Sequence, residues 1–91
     1  MDNPKIDAGG NKWWYQHGHL HRTGGPAVEH ADGHKAWFQH GKLHRTDGPA
    51  REWPGGNKEW YLHSKRLSFD EWLNKVDLSD EDKVMMKLKY G

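Results

Sequence analysis

Apolar positions between residues 8 and 67 are sparse and recur at short range, and after residue 67 the pattern changes kind. Each cluster in the first stretch is a Trp followed by a second aromatic: Trp14-Tyr15, Trp37-Phe38 and Trp60-Tyr61. Lys12, Lys35 and Lys58 stand two residues before these pairs, and His17, His40 and His63 stand two residues after their second members. Alternation around the pairs predicts strands over 12–16, 35–39 and 58–62, with 26–30 and 49–53 as hairpin partners. Asp32-Gly33 and Gly55-Gly56 read as tight hairpin turns, and His17-Gly18 and His40-Gly41 as a second turn after each aromatic pair. At His63-Ser64, where Ser replaces Gly, a loop one residue longer is expected. Period-two geometry puts Lys12, Trp14 and Gln16 on one face and Trp13, Tyr15 and His17 on the other. Trp14, Trp37 and Trp60 share one register and are expected to stack as a ladder inside the fold. The second aromatic face then needs a cover: the tail, a partner chain or a ligand.

From Ser68 the spacing is helical. Phe69, Trp72, Leu73 and Val76 fall at i, i+3, i+4 and i+7, an amphipathic stripe. Ser68 with Glu71 three residues on reads as a capping box. Ser79 caps a second helix, with Asp80, Glu81 and Asp82 at its positive end and Lys87 and Lys89 at its negative end. Val84, Met85 and Leu88 are expected to form its apolar side. Met85-Met86 is also weighed as a docking surface, because Met suits adaptable contacts.

The first stretch is a repeat. HRTGGPA at 21–27 recurs as HRTDGPA at 44–50, a 23-residue shift, and residues 8–30 match 31–53 at 15 of 23 positions. A third copy starts at Pro54 and stops near Leu67. The expected fold is mainly β (α+β): an antiparallel β-hairpin repeat meander of about five main strands, closed by a C-terminal cap of two short helices. Three parts follow: an N-terminal extension over 1–7, the array over 8–67 (8–30, 31–53 and a partial 54–67) and the helical cap over 68–91.

The G-x-K-x-W-aromatic strand and its following turn resemble MORN-type repeats, and the L-H-R-x-D-G-P-A signature resembles small repeat proteins common in bacteriophages. The resemblance covers residues 8–67. It implies a β-hairpin array and a binding role, and it supplies no catalytic residues. The HR-x-DGPA signature is foreign to ordinary MORN repeats, so the lipid and scaffold roles of those repeats are not carried over.

Composition explains how such a chain can fold. Hydrophobic residues are only 33% and mean hydropathy is -1.20, yet six Trp, three Tyr and two Phe supply large buried area per residue. Cysteine is absent, which excludes disulfides and thiolate metal sites. With 14 Lys+Arg against 13 Asp+Glu the net charge is +1, which argues against bulk electrostatic binding of nucleic acid. No apolar run suits a bilayer, and MDNPKIDAGG lacks the core of a signal peptide. A cytoplasmic protein is expected, in the host cytoplasm if the chain is phage-encoded.

Candidate chemistry is confined to a few residues. His17-x-His19-x-His21 invites a metal reading, but Gly18 breaks the alternation and Lys42 replaces the middle His in the next unit. Histidines that bond turn backbone account for the pattern better. Arg22 and Arg45 each precede a Glu by seven residues, Glu29 and Glu52. They read as structural rungs across a hairpin, or as anion hooks beside aromatic platforms. Asp47 is replaced by Gly24 in the first unit and is therefore not essential to the repeat. Trp13, His30, His34 and Trp53 depart from the repeat, and departures are where function is most readily added. The candidate binding surface comprises Trp13, Tyr15, Arg22, Phe38, Arg45, Trp53 and Tyr61.

The only serines are Ser64, Ser68 and Ser79, and no glycine-rich phosphate loop runs from strand into helix. No enzyme activity and no cofactor is expected. The expected function is non-catalytic protein binding, with a host protein as partner. Through the phage resemblance this becomes inhibition of a defence nuclease or CRISPR effector. A nucleotide or single-strand binder using aromatic stacking and Arg, and a structural or assembly module, are the alternatives. A homodimer through the sheet face or the tail helices is also considered.

Overall fold

Two kinds of turn, repeated along the chain, organise the computed structural model, which describes residues 3–91. In chain order the strands are β1 (Lys5–Ile6), β2 (Lys12–Trp13), β3 (Tyr15–Gln16), β4 (His19–Leu20), β5 (Val28–Glu29), β6 (Lys35–Ala36), β7 (Phe38–Gln39), β8 (Lys42–Leu43), β9 (Arg51–Glu52), β10 (Lys58–Leu62) and β11 (Lys65–Leu67). Helices α1 (Phe69–Lys75) and α2 (Asp80–Tyr90) follow. The architecture is mainly β with a helical end, as the repeat pattern predicts.

The first kind of turn joins β3 to β4, β7 to β8 and β10 to β11. Both central residues are left-handed: His17 and Gly18 at φ 51° and 79°, His40 and Gly41 at 51° and 79°, His63 and Ser64 at 50° and 66°. Two left-handed residues make the tight hairpin turn whose twist matches the strands. The third turn is therefore not one residue longer, since Leu62 pairs with Lys65 across just His63-Ser64. Ser64 takes the glycine conformation at a cost of about 1–2 kcal/mol.

The second kind is a three-residue loop, not a two-residue turn at Asp32-Gly33 and Gly55-Gly56. His30 donates to the His34 carbonyl at 2.9 Å and Gly33 to the His30 carbonyl at 3.0 Å, bracketing 31–33. Trp53, Asn57 and Gly56 repeat this around 54–56, and Asp7 and Gly10 close a related turn at the start. Part of the expected N-terminal extension is thus structural, because β1 pairs with β2.

The strands form a seven-stranded antiparallel sheet in the order β1-β2-β5-β6-β9-β10-β11, with β3-β4 and β7-β8 as separate hairpins. The continuous strands expected over 12–16 and 35–39 break at Trp14 and Trp37. There the chain changes partner: Trp14 donates to the Ala27 carbonyl at 2.8 Å and accepts from the His21 N–H at 3.0 Å. Trp37 does the same with Ala50 and His44. In the third unit Trp60 pairs with Leu67, and β10 runs unbroken. The partner strands are correspondingly short, two residues each rather than 26–30 and 49–53.

Register sorts two rows across the sheet. Lys12, Glu29, Lys35, Glu52 and Lys58 lie side by side, so charges alternate in sign between directly opposed residues. Trp13, Val28, Ala36, Arg51 and Glu59 form the adjoining row, which points to the other face.

The expected stack of Trp14, Trp37 and Trp60 on one another is not how the rungs are built. The Arg22 guanidinium lies 3.8 Å over Trp14, and that of Arg45 lies 3.8 Å over Trp37. Trp60 is met instead by Trp72, with ring centres 4.5 Å apart. A planar cation fills the gap between units, leaving Trp37 half-buried. At the last unit Arg22 and Arg45 have Ser68 as their counterpart, and α1 supplies an indole in their place.

The helices do cap the array. Trp60, Leu67, Trp72, Leu73 and Val76 form the buried core cluster, joined by Leu62, Phe69, Leu78, Met86 and Tyr90. The capping box is present: the Ser68 hydroxyl accepts from the Glu71 N–H, and the Glu71 carboxylate accepts from the Ser68 N–H. The Ser79 hydroxyl accepts from Asp82 at the start of α2. Helix α2 is rotated from expectation. Met86 and Tyr90 face inward, Tyr90 meeting Trp60 edge-on at 5.1 Å, whereas Val84, Met85 and Leu88 are exposed. Aromatic contact outweighs the shorter aliphatics in setting which side packs. No helix among the described residues is long and apolar enough to cross a membrane.

Candidate functional site

Four of the residues that depart from the repeat, Trp13, His30, His34 and Trp53, are brought together. Trp13 meets His30 edge-on with ring centres 5.3 Å apart; His30 stacks on His34 at 5.1 Å; His34 stacks on Trp53 at 3.9 Å. The result is one continuous column. Sheet register produces it. His30, His34 and Trp53 each stand two residues from Val28, Ala36 and Arg51, so all share the face of the Trp13 row. Buried Val28 and Ala36 form the floor. The column lies outside the cluster that the helices cover, and Trp53 at its end is 38% exposed.

His34 is the buried member, 7% exposed. Its backbone N–H donates to the Asp32 carboxylate at 2.9 Å. Burial foremost, then the neighbouring His30 and Arg51, hold its pKa below the ordinary 6.5, while Asp32 and Glu59 pull the other way. His34 Nε2, Arg51 Nε and Glu59 Oε1 are buried and make no hydrogen bond among the described residues. Arg51 and Arg66 approach Glu59 at 3.9 and 3.8 Å. A polar cluster with unused bonding capacity thus flanks the aromatic column.

Arg22 and Arg45 occupy a different place. Each Nη1 donates to a proline carbonyl, Pro26 at 3.1 Å and Pro49 at 3.0 Å, and to Glu29 or Glu52 at 3.1 Å. This is the repeated Arg–Glu rung. The fit is close: a Cβ added at Gly48 would stand 2.7 Å from the Arg45 guanidinium carbon, and one at Gly25 would stand 3.1 Å from that of Arg22. Between the two loops runs an open groove of about 790 Å³, lined by Arg22, Gly24, Trp37, Lys42, Arg45 and Asp47 among others.

The remaining candidates are spread along the array. Tyr15, Phe38 and Tyr61 sit one per hairpin, opposite Leu20, Leu43 and Arg66. Lys5 lies over the Tyr15 ring at 5.2 Å. The seven-residue surface is therefore not one patch: Trp13 and Trp53 share the column, Arg22 and Arg45 share the groove, and the other three recur along the hairpins.

His17, His19 and His21 do not converge. His17 is in a turn, His19 is exposed in β4, and buried His21 accepts at Nδ1 from the His40 N–H at 2.9 Å. His44 accepts likewise from the His63 N–H at 3.0 Å. These are the turn-bonding histidines of the sequence pattern. Among the described residues no three His, Asp or Glu are grouped to hold a metal ion.

Burial, followed by the nearby His63, also lowers the His44 pKa. A histidine with a depressed folded pKa stabilises fully above its unfolded value and progressively less as pH falls through the folded one. The melting temperature should therefore drop as pH falls below about 6.5, before the carboxylates titrate. A melting temperature that climbs over that interval contradicts the assignment for His34 and His44.

Compared with protein-family models, with curated proteins and with solved structures, the chain matches none.

Proposed function

We propose that this chain is a non-catalytic protein-binding module whose contact surface is centred on the Trp13–His30–His34–Trp53 column. One observation carries the reading: four of the residues that depart from the repeat, Trp13, His30, His34 and Trp53, scattered over 41 positions, assemble into a single ring column outside the cluster that the helices cover. A repeat already meets its structural needs with its repeated residues, so a joint departure suggests an added task. Two Trp at the ends of a partly exposed patch, with Arg51 and Arg66 beside it, match the make-up of interface hot spots. The resemblance of the L-H-R-x-D-G-P-A units to bacteriophage repeat proteins extends the proposal to inhibition of a host protein, such as a defence nuclease or CRISPR effector, in the host cytoplasm.

Salt separates this from nucleic-acid binding. A complex centred on aromatics tolerates moderate salt, whereas phosphate contacts release counterions and weaken steeply. With a net charge of +1, no binding to random single- or double-stranded DNA is expected at physiological salt in a polarisation assay. A protein captured from host lysate should persist through a moderate salt wash. Micromolar binding to random oligonucleotides that falls as salt rises would replace the proposal with the nucleic-acid reading.

A further inference from the structure

The side chains of the two repeat arginines are alike in every hydrogen bond but one. Both guanidinium groups stack at 3.8 Å on a repeat Trp, and both Nη1 atoms bond a proline carbonyl and a glutamate. Arg45 has a further partner: its Nε donates to Asp47 Oδ1 at 2.8 Å. The counterpart of Asp47 in the first unit is Gly24. Arg22 Nε accordingly has no acceptor among the described residues, and the Arg22 side chain is 30% exposed against 17% for Arg45. Gly24 has no side chain to offer and is left-handed at φ 83°, unlike Asp47, and a Cβ built on it would meet nothing within 4 Å, so this position brings no carboxylate to Arg22.

The setting favours an anion. Arg22 cannot reorient freely, because Trp14 and Glu29 fix its plane, and a guanidinium held in one plane offers its remaining donors without further loss of side-chain freedom. Its free edge borders the groove between the loops, where Lys42, His40 and His63 also stand, and Asp47 is the one carboxylate among the lining residues. Asp47 is already engaged by Arg45. From this geometry we infer that Arg22 Nε is a docking point for the carboxylate of an acidic peptide segment lying in the groove, in the role that Asp47 plays for Arg45. The inference adds a second site to the protein-binding reading and rests on none of the observations that support the column.

Nitrogen-15 spectra of the full chain resolve arginine Nε–Hε groups and report the site directly. The probe is the blocked peptide acetyl-Gly-Asp-Gly-amide, with acetyl-Gly-Asn-Gly-amide as its uncharged match. The Arg22 Nε–Hε resonance should move saturably with the aspartyl peptide, with an affinity on the order of millimolar for one charged contact. The asparaginyl peptide should leave it in place, and Arg45 should not respond to either. In Asp47→Gly the Arg45 resonance should acquire the response that Arg22 shows in the wild type. An unmoved Arg22 resonance, equal shifts at Arg22 and Arg45 in the wild type, or equal effects of the two peptides would each overturn the inference. Tighter binding of succinate or inorganic phosphate than of the aspartyl peptide would overturn the assignment to a peptide carboxylate.

Discussion

Trp72→Ala should destabilise the protein by about 3–5 kcal/mol, the range for a fully buried large aromatic. Trp72 is 0% exposed. Its ring packs on Trp60, and its Nε1 donates to the Arg45 carbonyl at 2.8 Å. The substitution removes the ring that closes the last rung and also leaves that carbonyl without its donor. A small domain has about 5–15 kcal/mol in total, so the variant should melt far lower or populate unfolded chains at room temperature. Trp37→Ala should cost less, because Trp37 is half-buried and faces a guanidinium whose other contacts remain. Thermal melts of the two variants side by side check the order. A Trp37→Ala melt depressed more than that of Trp72→Ala would place the core in the middle of the array instead of at its helical end.

Truncation after Leu67 should have a larger effect still. It removes Trp72, Leu73 and Val76 from the buried cluster and strips Trp60 of its contacts with Phe69, Trp72 and Tyr90. The outermost strand, β11, loses the helix packed beside it, and an uncovered edge next to exposed aromatics invites association. The truncated chain should lose its cooperative melt or aggregate on size-exclusion chromatography. A truncated array that stays monomeric and melts cooperatively would mean that the helices are an appendage and not a cap.

Local rules made much of this legible. The Ser68–Glu71 box and the Phe69–Val76 stripe needed only neighbours within one helix turn, and the structure has both. The two-residue turns at His17-Gly18 and His40-Gly41 were equally local. Two local readings failed, the loops over 31–33 and 54–56 being a residue longer and the turn at His63-Ser64 a residue shorter than expected; the other failures depended on distance in the chain. The Trp rungs could not be read correctly because Arg22 and Arg45 reach back eight positions to fill the space between indoles. The side on which α2 packs was ambiguous because it carries apolar residues on both sides, and Tyr90 decides it through Trp60. Trp13, His30, His34 and Trp53 stood out as departures, but only the sheet register shows that they share a face. The Gly24-for-Asp47 exchange was visible in the sequence as a mere irregularity; its meaning appears once Asp47 is seen on Arg45 Nε.

The central claim is that the departures joined in the Trp13–His30–His34–Trp53 column form the working surface. Its most direct measurement compares capture of host proteins by the wild type and by Trp13→Ala/Trp53→Ala, quantified by mass spectrometry, with melts of both proteins recorded. The account predicts a specific partner on the wild type, depleted about tenfold or more by the double variant, while the variant still folds and melts cooperatively. Equal capture by a folded double variant would contradict it, and would make the column a part of the fold and not of the function.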